Sequence, residues 1–205
     1  MTHEAIRNLL AQDDDEALDE LRTLSTANDA FVRRTAIEVI GQHKRGHELR
    51  TIVAAALSDT SDYVRRSACG IVEQWKLAEV HDLVLPLLRA PEASTRECAL
   101  RALGEIWHEA DFQAILDLYR RYPEIRVRRE AARTLRQGAA ASNWRLLFDD
   151  FSRDALPRHR AWACELAEAF GGPDIVPILA SLMDDDDGHV RKSAARARQA
   201  TSSRN

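Results

Sequence analysis

Cysteine is scarce in this chain, aromatics are few, and long apolar runs and a basic excess are both missing. Cys69, Cys98 and Cys164 lie 29 and 66 residues apart with no CxxC pair, which excludes a zinc knuckle or a dithiol redox motif. Their apolar neighbours make them reduced core thiols. No apolar stretch approaches the ~18 residues of a membrane-spanning helix. The opening MTHEAIRNLLAQDDDEALDE places acids where a signal peptide needs an apolar core, so the expected location is the cytoplasm and no membrane partner is expected. A net charge of -4 and a pI near 6.0 supply no global basic field, so any nucleic-acid binding must be local. Aromatics make up 6% and β-branched runs are rare, which favours helix over sheet.

The 205 residues are 45% hydrophobic, enough for one sizeable core, and they carry one phrase six times. VRRTA begins at 32, VRRSA at 64, TRECA at 95, VRREA at 127, HRAWA at 159 and VRKSA at 190. Arginine holds the second place each time and alanine the fifth. With the valine as place 0, places 0, 4, 7 and 8 fall on one side of a helix, and Val32, Ala36, Val39 and Ile40 fill them with apolar groups. Asp29, Ser61 and Asp187 stand at N-cap positions three residues earlier, and Pro157 at N1. These helices are expected to begin within about three residues of Val32, Val64, Thr95, Val127, His159 and Val190. A second amphipathic segment precedes each phrase, so each unit is a helical hairpin that buries its stripe only by stacking on neighbours. Gly46, Gly138 and Gly171-Gly172 are expected at turns.

The ~31-residue period and the consensus D..VR..A...LG resemble the HEAT-like repeats of the short, phycobilin-lyase type, over residues 13 to about 200. The resemblance implies an all-α, right-handed α-solenoid of about six hairpins in one domain, 1–205. Residues 1–12 would be a capping helix, and about 198–205 a frayed tail. It also implies that the second helices line a concave face. The function it implies is non-catalytic protein binding, as in a bacterial adaptor or a toxin-neutralising immunity protein, with no cofactor and no small-molecule substrate.

Candidate sites follow from what the repeat leaves unexplained. The six arginines at place 1 read as structural, because Asp29, Glu92, Glu124 and Asp187 stand four residues before theirs and can tie each turn to its own helix. Places 2, 6 and 9 point away from the core and carry eight basic and five acidic residues. This ridge is either a solvated face or a site for an acidic partner surface. Its densest part gives the expected contacts: Arg101, Arg129, Arg133, Arg136, Trp162 and Glu165. Trp162 is either an interface anchor or the cover of an irregular turn after Pro157. Trp75 and Trp107 are expected in the core. The alternative function is nucleic-acid binding, or chemistry like that of the HEAT-like alkylpurine DNA glycosylases, with Trp162, Arg129, Arg133 and Glu165 on the ridge.

Metal chemistry finds no support. HKRGH at 43–47 lacks the Glu of HExxH and is interrupted by Gly46, so His43 and His47 are expected in a solvated loop. The His-Glu ligand pairs of the HEAT-like deoxyhypusine hydroxylases are absent from their place in the second helices. The acidic runs at 13–16 and 184–187 read as helix N-terminal acids.

Overall fold

The computed structural model describes residues 2–202, and among them every regular element is helical. In chain order the α-helices are α1 (His3–Arg7), α2 (Asp15–Leu24), α3 (Ala30–Gln42), α4 (Arg50–Ala56), α5 (Asp62–Trp75), α6 (His81–Val84) and α7 (Ala93–Glu105). There follow α8 (Phe112–Arg121), α9 (Ile125–Gln137), α10 (Trp144–Phe151), α11 (Pro157–Phe170), α12 (Val176–Leu182) and α13 (Gly188–Ser202). The odd-numbered helices from α3 to α13 are the second helices, and each begins two residues before its place 0. Asp29 caps α3 by accepting from the Phe31 amide at 2.8 Å, and Asp187 caps α13 by accepting from His189 at 2.8 Å. Ser61 stands at its N-cap without a side-chain bond, and Pro157 opens α11.

The predicted core places are filled as the period requires. The six place-4 alanines, Ala36, Ala68, Ala99, Ala131, Ala163 and Ala194, are all 0% exposed. Val64, Thr95, Val127, His159 and Val190 at place 0 are buried too, while Val32 is only half-buried. The apolar stripe is one place wider than the sequence pattern drew it, because Ile37, Cys69, Leu100, Ala132 and Cys164 at place 5 are also buried. Each buried Leu- or Val-sized side chain contributes ~1.5–3 kcal/mol against exposure. Burial pushes the Cys69 and Cys164 thiols up to about 12, so both stay protonated. Cys98, at place 3, differs from the expectation of a core thiol. It is half-buried and accepts a hydrogen bond from Arg101.

No described glycine has a positive φ, so the glycines expected at turns are not left-handed caps. A Cβ on Gly46 would stand 1.9 Å from the Ile40 carbonyl oxygen, so a close approach, not a left-handed cap, demands glycine there. The left-handed cap goes to Lys76 after α5, at φ 54°.

Packing groups the chain into two compact units, one up to Thr134 and one from Leu135 onward. In the first, α1 and α5 pack on α3, and α7 packs on α5. In the second, α11 packs on α10 and α13, with α12 against α13. α13 continues to Ser202 with Thr201 wholly buried, so the tail expected to fray from 198 is helical through 202. Residues 203–205 of that expectation lie outside the described residues. Among the described residues no helix is long and apolar enough to cross a membrane.

Candidate functional site

Place 1 proves to be a clamp between repeats. Arg33 Nη1 donates to the carbonyls of Ala27 (2.8 Å) and Asn28 (3.0 Å), and its Nε and Nη2 grip Asp59 at 2.8 and 2.7 Å. Arg65 binds the carbonyls of Asp59 and Thr60 and the Glu92 carboxylate, and Arg96 binds those of Ala90 and Pro91 and the Glu124 carboxylate. In the second unit Arg160 holds Asp154 O, Ala155 O and both oxygens of Asp185. Each arginine thus ties its own turn, as expected, but its carboxylate comes from the following turn and not from four residues before it. An arginine in the first helical turn leans back over the turn that precedes it, Asp29 is occupied at its cap, and stacking brings the carboxylate of the next repeat's turn to the same guanidinium. The paired guanidiniums hold Asp59 and Asp185 below the usual carboxylate range.

The ridge carries a second set of ties. In the first unit Arg101 Nε donates to Glu73 at 3.1 Å across two repeats, and Arg133 Nε donates to Glu130 at 2.6 Å. In the second unit Arg136 donates to Glu165 at 2.8 Å and Arg196 to Glu168 at 2.7 Å. Most of the ridge is therefore half-buried and charge-paired, and place 2 of α11, Ala161, is buried outright. Arg129 differs: it is exposed, and among the described residues it makes no ion pair.

His159 and Trp162 replace the consensus in α11 and explain each other. His159 is wholly buried, with Nδ1 3.1 Å from Asp154 Oδ2, and its ring stacks on Trp162 at 5.3 Å between centroids. Trp162 is 9% exposed, and the guanidinium carbons of Arg136 and Arg158 lie 5.0 and 5.3 Å from its ring centroid. Arg136, Trp162, Glu165, Arg158, Asp187 and His189 border a groove of about 610 Å³.

Other expectations are corrected by burial. His43 is not solvated: its Nε2 bonds Gln12 O at 2.8 Å, and its Nδ1 accepts from the Arg45 amide. Trp75 and Trp107 are half-buried, and the Trp75 ring carries His47 stacked at 4.0 Å. Two features escaped the sequence reading. One is Arg158 over Trp162. The other is a pair of exposed aromatics, Phe31 and Tyr63, one place before the repeat valine, where a comparison of that place across repeats shows the signal.

Residues 49–136 match the family model described as HEAT repeats. No curated protein matches the chain in sequence. Among solved structures, an archaeal HEAT-like repeats protein from Thermococcus onnurineus NA1 is 15% identical, with 99% of this chain and 98% of that one covered at a TM-score of 0.61. The complex of CpcE and CpcF of phycocyanin lyase from Nostoc sp. PCC7120 is similar at 19% identity, 98% and 88% coverage and a TM-score of 0.57. A designed armadillo repeat protein is similar at 16% identity, 96% and 98% coverage and a TM-score of 0.59. With its sixfold phrase and its all-helical hairpins the chain has the fold of the α-solenoid repeat proteins, and its residues 49–136 are similar to HEAT repeats.

Proposed function

We propose that the chain is a non-catalytic protein-binding module that meets an acidic surface on its partner through the second-helix ridge of repeats three to five. The contacts are Arg101, Arg129 and Arg133 in the first unit and Arg136, Trp162 and Glu165 in the second. The observation that carries this is α9, with five arginines, Arg126, Arg128, Arg129, Arg133 and Arg136, against one carboxylate, Glu130. Like charges on one helix face repel by a few tenths of a kcal/mol per neighbouring pair, and Arg129 stands exposed with no ion pair among the described residues. A partner carboxylate supplies that offset. Repeat proteins gather affinity over several repeats, which suits an adaptor or an immunity protein of the bacterial cytoplasm.

The test is recovery of the partner from the native host by affinity purification. Arg129→Glu with Arg133→Glu is compared with Arg50→Glu plus Arg89→Glu, two exposed arginines associated with the first helices. Lys44 and Arg45 are unsuitable for comparison because they pair with Asp13, Asp15 and Glu48. Loss of the partner from the first variant alone is expected. Equal retention by both folded variants sinks the reading. Nucleic acid as the partner is recognised by a steep fall of affinity with salt.

A further inference from the structure

One place before the repeat valine, the chain reads Phe31, Tyr63, Ser94, Arg126, Arg158 and His189. The fold leaves this place open, and in α3 and α5 it holds aromatic rings that are 54% and 56% exposed. Phe31 is steadied edge-on by His3, at 3.9 Å between ring centroids. Phe31 and Tyr63 share a hollow of about 490 Å³ with Asp29, Ala30, Arg34 and Ser61. Tyr63 and Arg34 also border a second hollow, of about 270 Å³, closed by Arg66 and Ser67. The Arg66 and Arg34 guanidinium carbons lie 4.7 and 5.9 Å from the Tyr63 centroid.

The two hollows differ in chemistry. The first is walled by two aromatic rings. The second is bordered by two guanidiniums, a phenol and a hydroxyl, with no carboxylate among its lining residues. Each arginine there has a carboxylate on its own helix, Arg34 to Glu38 at 2.7 Å and Arg66 to Asp62 at 3.3 Å. Arg66 Nε, however, is withdrawn from water and makes no hydrogen bond. A buried donor without an acceptor is destabilising, and a charged acceptor relieves it best.

We propose that the first turns of α3 and α5 dock an extended acidic segment of a partner protein, with an apolar side chain between Phe31 and Tyr63 and a carboxylate on Arg34 and Arg66. The Arg66 Nε–H, a charged donor with no acceptor, selects the carboxylate, and the exposed rings select its apolar neighbour. Residues i and i+2 of an extended chain project to the same side, so the pattern read is apolar, any residue, acid. A nucleic-acid backbone suits the site poorly, because Asp29, Glu38 and Asp62 surround the two arginines and repel a run of phosphates. The site shares no residue with the ridge of repeats three to five, so its failure leaves that reading standing.

The experiment is an NMR titration of the ¹⁵N-labelled full chain with the peptide Ac-Gly-Leu-Ser-Glu-Gly-NH₂, its glutamine counterpart, and decathymidylate. The acidic peptide is expected to move the Arg66 Nε–H and Tyr63 amide resonances saturably, and the glutamine peptide to bind about tenfold more weakly, the worth of one charge-assisted hydrogen bond. Tyr63→Ser, at an exposed position and with an unchanged melting midpoint, is expected to abolish the shifts, and Arg66→Gln to weaken binding. The proposal is overturned by the absence of saturable shifts, by equal affinity for the glutamine peptide, or by retention of binding in Tyr63→Ser. It is also overturned if decathymidylate moves these resonances and the peptide does not.

Discussion

Ala99 and Ala131, both 0% exposed, stand where neighbouring helices meet, and they allow no larger side chain. Ala99→Leu or Ala131→Leu is expected to cost roughly 1–3 kcal/mol, because three added carbons force neighbours off their rotamers. Equal melting midpoints for mutant and parent would contradict this packing. Gly41 is subject to the same constraint, since a Cβ there would stand 2.7 Å from Ile71 Cγ1. Arg96 shows a polar form of the same dependence. It is 3% exposed and joins two carbonyls of its own turn to Glu124 of the next. Arg96→Met keeps most of the packing and removes these bonds, with an expected loss of roughly 1.5–3 kcal/mol in chemical denaturation. A loss near zero would show that the clamp does not stabilise the fold.

At the scale of elements, the turns that enter the first helices carry a pH dependence. His81 at the start of α6 donates from Nε2 to the buried Asp111 at 2.7 Å, lies 3.0 Å by Nδ1 from Asp82, and stacks on His108 at 4.0 Å between centroids. Burial opposes its charge, but the two carboxylates outweigh burial, and the His81 pKa is raised. A raised histidine contributes stability that is fully present below its unfolded value of about 6.5 and is lost as pH rises through the folded value. His81→Gln is therefore expected to lower the melting midpoint more at pH 5.5 than at pH 8.5. A difference independent of pH would show that His81 is held neutral. The same turns show why the first helices were less legible than the second ones. Pro86 breaks the third of them into α6 and a 3-10 turn at Leu85–Arg89, and no sixfold phrase marks their starts.

For the whole molecule, contacts run between neighbouring hairpins, so stability should be graded along each unit. In the first unit α5 packs on both α3 and α7, whereas the short α1 packs on α3. Native-state hydrogen exchange is expected to be slowest in α5 and α7 and fastest in α1. Uniform protection across the unit would replace this graded picture with an all-or-none one. The ion pairs of the ridge act on the same scale. They are partly exposed, each worth little in isolation, and α9 carries five arginines against one carboxylate.

The recurring arginine and alanine determined, without any coordinates, that the chain is helical, where each second helix begins, and which side of it is buried. Spacing along a helix is a local property, and six copies of one spacing leave little freedom. The pairing of charges was a different matter. Asp59, Glu92, Glu124 and Asp185 are clamp partners because stacking brings each turn to the arginine of the preceding repeat, 25 to 28 residues away in sequence. Four-residue spacing therefore suggested the wrong carboxylates. The exposure of Phe31 and Tyr63 and the burial of Trp162 were likewise decided by neighbours from other elements. Tertiary packing alone settles whether an aromatic ring beside a repeat's core ends in solvent or beneath a histidine and two arginines.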